Sequence, residues 1–424
     1  RDYTTYAVYT NLPPAGPFRG VGASHVCWAY ESDIDDIARK LKMDPLEVRL
    51  KNLLQEADRF ITGETMTSVG IGECLKQAAD AIGWRGRDEQ APKTGSIIRG
   101  KGLAVAIKST STPSTSAASV RLNSDGSAIL LTSSCDMGQG AQTCLAQIVG
   151  DVLDLPFERV SVTFPDTDFT PYDKSTSSSR TTFHMGKAAQ IAAVQIRDQL
   201  LQAGAKVLEA RLEDLELRDG HLEVKGVPEK QLSYPQLFRA IFGDASGSLF
   251  GNHTLRTDGG IDSASGIGKG SSFWFYSASG AEVEVDTETG KVRVLRVATA
   301  VDVGKAIHPL QCDLQNEGSA LAGLGSALFE EMRFDNGQPI NCTFLDYLLP
   351  SMLDHPDEFL SRLVETPHAD GPFGAKGMGE AALPPMAPAI GNAIANALNG
   401  ARVRDLPVKS HKIVAALIAN AERR

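Results

Sequence analysis

Near the C-terminal end, Gly371-Pro-Phe-Gly-Ala-Lys-Gly-Met-Gly-Glu380 places four glycines ahead of a single carboxylate. Glycine has no Cβ, so such a backbone can press against a bulky ligand and take φ > 0 where a turn requires it. Glu380 leaves this segment just before the apolar run Ala381-Ala-Leu383. A carboxylate in partly apolar surroundings is a candidate general base. The plainer reading is a glycine-rich loop whose glutamate faces solvent.

Three other loops carry chemistry-bearing types. Residues 11–22, NLPPAGPFRGVG, present Phe18 and Arg19 between glycines. The planar donor fork of arginine suits a flat or anionic ligand, although a surface turn would read the same way. Asp136-Met-Gly-Gln-Gly140 runs into AQTCLAQIVGDVLDL, a strand–glycine loop–helix junction. Free N–H groups at a helix start favour an anion or carbonyl, and Gln139 can both donate and accept. The Gly-Lys-Ser/Thr ending of a P-loop is absent. Residues 172–182 are rich in hydroxyls, include Arg180, and feed a helix expected from Gly186. Hydroxyls, backbone N–H groups and one arginine make a phosphate cradle. Two such loops point to a large ligand with a diphosphate or polar ring system.

The chain has 424 residues and a net charge of −10, is 42% hydrophobic and 22% charged, and is long enough for two or three domains. This balance argues against a protein that tracks nucleic-acid phosphates. No run of eighteen apolar residues suggests a membrane span. The six cysteines, at 27, 74, 135, 144, 312 and 342, form no C-x-x-C pair and complete no zinc pattern. They read as scattered reduced thiols of a cytoplasmic protein, and they do not fit an iron–sulfur cluster bound by this chain alone. Gly266-Ile-Gly-Lys-Gly270 lacks the strand and helix flanks of a dinucleotide fingerprint. The chain opens at Arg1 in Tyr-rich sequence, which reads as the middle of a longer fold.

The elements that position these loops follow from periodicity. A strand is expected over 1–10, and helices over 24–41, 45–54 (Asp44 as cap) and 71–82. A polar linker is expected over 85–95. Strands are expected at 100–108 and 117–122, flanking a Ser/Thr/Pro loop at 109–116, then at 128–134 and 159–164. A long helix runs from Gly186 towards Arg211. Residues 213–260 read as peripheral, with a hairpin at Asp219-Gly220 and a helix near 234–242. A strong hairpin spans 281–302, and Gln315 opens a Gly/Ala-rich helix. His308, before Pro309, reads as a structural loop residue. Helices at 388–398 and 408–421 close the chain.

In order along the chain, GPFRGVG, DPLEVRLKN, DMGQGAQT, the STSSSRT loop, DVGKAIHP with Gln315 and EG after it, and GAKGMGE resemble one family. It is the C-terminal part of the molybdenum-binding subunit of xanthine dehydrogenase/aldehyde oxidase molybdo-hydroxylases. The resemblance spans essentially the whole chain. It implies an α+β fold of elongated mixed α/β subdomains. Residues 1–58 would end a first molybdopterin-binding domain, 59–95 would link, and 96–424 would form a second.

It further implies a molybdenum-dependent oxidoreductase that inserts water-derived oxygen into an aldehyde or aromatic N-heterocycle. The cofactor would be molybdenum–molybdopterin, as the cytosine dinucleotide, with the metal held by the pterin dithiolene and by no side chain. 2Fe–2S clusters and FAD would sit on partner subunits. A further chain would supply the N-terminal half of the molybdenum subunit, and the assembly would be a dimer of heteromers. Carried over by residue, Glu380 resembles the active-site base, with Arg19 beside it. Phe18 and Arg19 resemble the pocket loop. Gly138, Gln139, Gly140 and Thr143 resemble a pterin contact. Ser177, Ser178, Ser179 and Arg180 resemble the loop along the pterin and phosphates. Gln315, Lys376 and Gly377 resemble further cofactor contacts. The alternative is a catalytically inactive molybdopterin-binding relative or assembly subunit, which the intact Glu380 loop disfavours.

Overall fold

The computed structural model describes residue 4, residues 6–86 and residues 93–422. Tyr3, and residues 87–92 at the centre of the expected linker, lie outside the described residues.

Helix α1 (Ala23–Leu41) stops where Lys42 turns left-handed, with Arg39 and Lys40 in its last turn. Helix α2 (Pro45–Asn52) starts as its sequence dictates: Asp44 accepts from the Leu46 N–H and Pro45 occupies the first turn. Helix α3 (Ile71–Ala81) falls inside the expected linking segment, yet buries Cys74, Leu75, Ala78 and Ala79. Strands β1 (Lys93–Thr94) and β2 (Ile97–Ser109) follow. Then come β3 (Ser114–Asn123), β4 (Ala128–Leu131), helix α4 (Ala141–Leu153), β5 (Val160–Val162) and helix α5 (Gly186–Val207). After a small three-stranded sheet over 215–233 come β6 (Ser248–Thr257), β7 (Trp274–Asp286) and β8 (Val292–Asp302). Helix α6 (Pro309–Leu328), β9 (Glu358–Val364) and helix α7 (Met386–Ala397) complete the core elements.

The main sheet runs β1-β2-β7-β8-β9, antiparallel except for the β8–β9 pair. Alternate residues of β7 serve its two faces. Ala281, Val283 and Val285 pack with α6 and α7, whereas Tyr276 and Ala278 pack with α3. With helices on both sides, β7 is buried almost continuously from Phe275 to Val283. Helix α7 comes so close to β2 that a Cβ on Gly102 would lie 2.2 Å from the Ala393 nitrogen. A second sheet, β5-β4-β3-β6, carries α4 and α5 over the core of Val120, Leu130, Ile148 and Ile196.

Several expectations are corrected. The described residues among 4–10 form no strand. The stretch at 109–116 is not a loop: β2 runs to Ser109 and β3 begins at Ser114, leaving only 110–113 between them. Strand β3 alternates buried and half-buried, but its first inward side chains are Ser114 and Ser116, so polarity hid the period. Residues 248–257 are not peripheral, since β6 pairs with β3 along its full length. Helix α6 starts at Pro309 rather than Gln315, with His308 as its N-cap. Among the described residues no helix is long and apolar enough to cross a membrane.

The segment 340–353 leaves large apolar side chains in solvent, including Phe344 at 78%, Leu345 at 88% and Leu353 at 96% exposed.

Gly102→Val should overpack the β2–α7 contact and cost about 3 kcal/mol of stability. Gly72 lies inside α3, and a Cβ there would meet nothing within 4 Å. Gly72→Ala should therefore add roughly 0.5–1 kcal/mol. Calorimetric unfolding of both variants beside the wild type checks the pair.

Candidate active site

The glycine segment is laid directly on another loop. A Cβ on Gly377 would fall 1.5 Å from the Ser179 carbonyl oxygen, so only glycine permits the contact. Ser178 and Ser179 both have positive φ, at 50° and 52°, which turns the hydroxyl loop sharply towards it. The Glu380 N–H donates to Ser179 Oγ at 3.0 Å. The Glu380 carboxylate is then held at both oxygens. Oε1 accepts from the Gly20 N–H at 3.1 Å. Oε2 accepts from Lys108 Nζ at 2.8 Å and from Ser179 Oγ at 3.3 Å. These surroundings are polar and cationic, not the partly apolar pocket expected from Ala381–Leu383.

Glu380 opens onto a cavity of about 510 Å3, within the size range of small-molecule sites. Its walls come from residues 137–139, residues 176–182, the stretch between Val303 and Gln315, and residues 376–380, with Arg19 reaching in. Arg19 donates to the Gly379 carbonyl, and at 2.7 Å to Gln315 Oε1. Burial lowers its pKa, and the nearby Glu380 charge opposes that shift.

Of the residues singled out in the sequence, the cavity brings together Arg19, Gly138, Gln139, Ser177, Ser178, Ser179, Arg180, Gln315, Lys376, Gly377 and Glu380. Phe18 is 55% exposed and does not line it, nor do Gly140 and Thr143. Gly140 instead accommodates the Gln311 side chain, which a Cβ there would meet at 2.5 Å.

Three side chains serve the fold rather than an incoming group. Arg180 donates to Ser114 Oγ, Ser116 Oγ, Asp173 Oδ1 and the Thr115 and Ser175 carbonyls. Five donors meet five acceptors, so the guanidinium has none left for a phosphate. Lys376 is buried, with its ammonium on Asp302 Oδ2 at 2.7 Å and the Ser68 carbonyl at 2.6 Å. Burial pushes Lys376 down and Asp302 up from their ordinary values, each opposed by the other's charge. Asp136 caps α4 by accepting from the Gly138 and Gln142 N–H groups. Of the helix start expected to greet a ligand, the Gln142 N–H is therefore already taken from its own loop.

Sequence reasoning missed Lys108, Gln311, Cys144 and Cys312. The last three line the cavity. Burial pushes the Cys144 and Cys312 thiols up to about 11 and about 12, so neither is a thiolate at neutral pH. Lys108 merely ends an alternating strand in the sequence. Nothing local marks its partner 272 residues away.

The wall fits a flat, polar group. Peptide edges of two loops in backbone contact, serine hydroxyls and the Gln311 and Gln315 amides offer both donors and acceptors to a ring system. Among the described residues no group of three or more His, Cys, Asp or Glu side chains could hold a metal ion.

A mixed helix-and-sheet scaffold thus carries a glycine-built cleft that ends in one carboxylate and fits a flat, polar group. Two families described as molybdopterin cofactor-binding domains match residues 1–53 and 76–356. The chain belongs to the molybdopterin cofactor-binding domain family. It is 32% identical to the nicotine 6-hydroxylase large subunit of Paenarthrobacter nicotinovorans, over 98% of this chain and 52% of that one. It is 31% identical to the xanthine dehydrogenase molybdenum-binding subunit of Escherichia coli O157:H7, over 97% and 54%. The crystal structure of quinoline 2-oxidoreductase from Pseudomonas putida 86 superposes with a TM-score of 0.85 at 28% identity, covering 96% of this chain and 53% of that one. The chain thus spans about half the length of the curated relatives it matches, and the expected α+β architecture is the one found.

Two outcomes test the frame of the site. Arg180→Met leaves Asp173, 1% exposed, without its cation, and should cost about 3–5 kcal/mol in denaturant unfolding. Burial and the Arg180 cation hold His184 down at about 4, against an ordinary 6.5. Below pH 6.5 the unfolded chain takes up a proton that the native chain refuses until about pH 4. Stability should therefore fall over that window by up to about 3 kcal/mol. His184→Gln should flatten that part of the pH–stability curve.

Proposed function

We propose that this chain holds molybdopterin and supplies the catalytic base for a molybdenum hydroxylase. The observation that carries the reading is the Glu380 carboxylate, fixed at both oxygens and opening onto a cofactor-sized cleft. Residues 96–424 are proposed as the second cofactor-binding domain, 1–58 as the end of the first, and 59–95 as the link. The substrate is an aldehyde or aromatic N-heterocycle, and the cofactor carries a cytosine dinucleotide.

When bound, the cofactor supplies a Lewis acid and a two-electron sink for the oxidation RH + H2O → ROH + 2H+ + 2e−. This chain's share is position and proton transfer. Residues 177–179 line the pterin with hydroxyls and peptide groups, and Gln315, itself held by Arg19, adds an amide. Each carboxylate oxygen has two lone-pair sites. Oε2 uses both, on Lys108 and Ser179, whereas Oε1 uses one, on Gly20. The proton released when water becomes a nucleophile is therefore taken up at Oε1. The backbone of Gly377–Gly379 lines the cavity up to Glu380.

The electrons leave through 2Fe–2S and FAD partner subunits. The earlier half of the molybdenum subunit comes from another chain or segment, and the apolar surface at 344–353 is where it docks. The unpaired state of all six cysteines supports a cytoplasmic setting.

In the native complex, Glu380→Gln should keep about one molybdenum per chain and lose turnover about 10²–10⁴-fold on a panel of quinoline, xanthine and benzaldehyde. Undiminished turnover in a molybdenum-replete variant would remove Glu380 from the chemistry. Leu345→Asp combined with Leu353→Asp should leave this chain folded by circular dichroism but abolish co-purification with the earlier half.

A further inference from the structure

Lys108 is bonded to Glu380 by its side chain yet does not itself line the cavity. It sits at the end of β2, opposite Phe275 of β7 in the antiparallel register. Its ammonium lies 4.9 Å from the centre of the Phe275 ring. Its strongest bond is to Glu380 Oε2 at 2.8 Å, and the alternative acceptor, the Ser109 carbonyl, lies at 3.4 Å. Both partners are nearly enclosed, with side chains 10% and 14% exposed. The Arg180–Asp173 and Lys376–Asp302 pairs are wholly interior, at 0–1% exposed. The Lys108–Glu380 pair differs because its carboxylate also lines the cavity.

Resting on the reading of Glu380 as base, we infer that Lys108 is a positioning residue for the reaction, acting from behind through Oε2. A glutamate side chain left to itself samples several rotamers, and its terminal torsion is broad. Here the ammonium and the Ser179 hydroxyl fill Oε2, so the open lone pair belongs to Oε1. Removing the ammonium leaves Oε2 with only the 3.3 Å bond from Ser179, so the carboxylate can twist out of its present plane. The open site is then no longer fixed against the substrate, and a misplacement of about 1 Å is enough to cost about 10²-fold in rate. The ammonium's bonds go to Glu380 and Ser109 rather than to the hydroxyl loop, so the wall that holds the pterin does not depend on it.

The test compares Lys108→Met, Lys108→Arg and Glu380→Gln in the native complex. Each is measured for molybdenum content, for kcat and KM on the quinoline, xanthine and benzaldehyde panel, and by crystallography. Lys108→Met should keep its molybdenum and change KM by less than about threefold. Its kcat should fall by about 10²-fold, and the Glu380 side chain should appear in more than one orientation. Lys108→Arg should recover most of the lost kcat. A Lys108→Met enzyme at full speed while Glu380→Gln is silent would overturn the positioning role alone. Full activity in Glu380→Gln would overturn the base itself. Loss of molybdenum in parallel with activity, an unmoved Glu380 in the Lys108→Met crystal, or no recovery with arginine would each show that Lys108 is structural only.

Discussion

The site depends on one close backbone approach. Gly377 lies against the Ser179 carbonyl so tightly that no side chain fits between them. The same segment receives a third loop, because a Cβ on Gly304 would sit 2.3 Å from the Gly374 carbonyl oxygen. Three strand-to-helix or loop connections, distant in sequence, therefore meet peptide on peptide. Walls built this way expose N–H and C=O edges and short hydroxyls, the groups that recognise a polar ring in its plane. They also transmit position: once Gly377 is seated, the Glu380 N–H reaches Ser179 Oγ and the carboxylate follows.

Around that contact the charges divide by task. Arg180, Lys376 and Arg49 are each enclosed and paired with Asp173, Asp302 and Glu31. Buried pairs of this kind add little net stability over apolar packing, but breaking one leaves a costly unpaired charge. Their effect here is to lock loop geometry. Arg180 ties 173–175 to the first residues of β3, and Lys376 ties the glycine segment to the end of β8. The two cations beside Glu380, Arg19 and Lys108, are the ones whose partners line the cavity.

Much of this was legible in the sequence where the signal is local. Asp44 and Pro45 announce α2, the alternation at 281–302 announces the β7–β8 hairpin, and the ordered glycine motifs place Glu380, Gln139 and Gln315 on one cavity. The failures are physical as well. Ser114 and Ser116 occupy core positions of β3 because Arg180 satisfies them, and a hydroxyl there breaks the apolar period. Arg180 itself looks like a phosphate ligand until its five acceptors are seen. Lys108 is invisible because its meaning lies in a contact across the fold.

The proposed base, Glu380, also sits at a seam. Gly20 and Arg19 belong to the segment matched by one cofactor-binding family, and Ser179 and Gln315 to the segment matched by the other. Glu380 lies beyond both matched ranges, yet it is bonded to Gly20 and Ser179 at once. The Arg19 guanidinium bridges the same seam, from Gly379 to Gln315. A shift of residues 19–20 would therefore unseat the carboxylate while leaving the hydroxyl loop in place. Lining the cleft and seating its carboxylate are thus separable features of this fold. The first depends on loops packed within the two sheets, and the second on how residues 19–20 lie against residues 379–380.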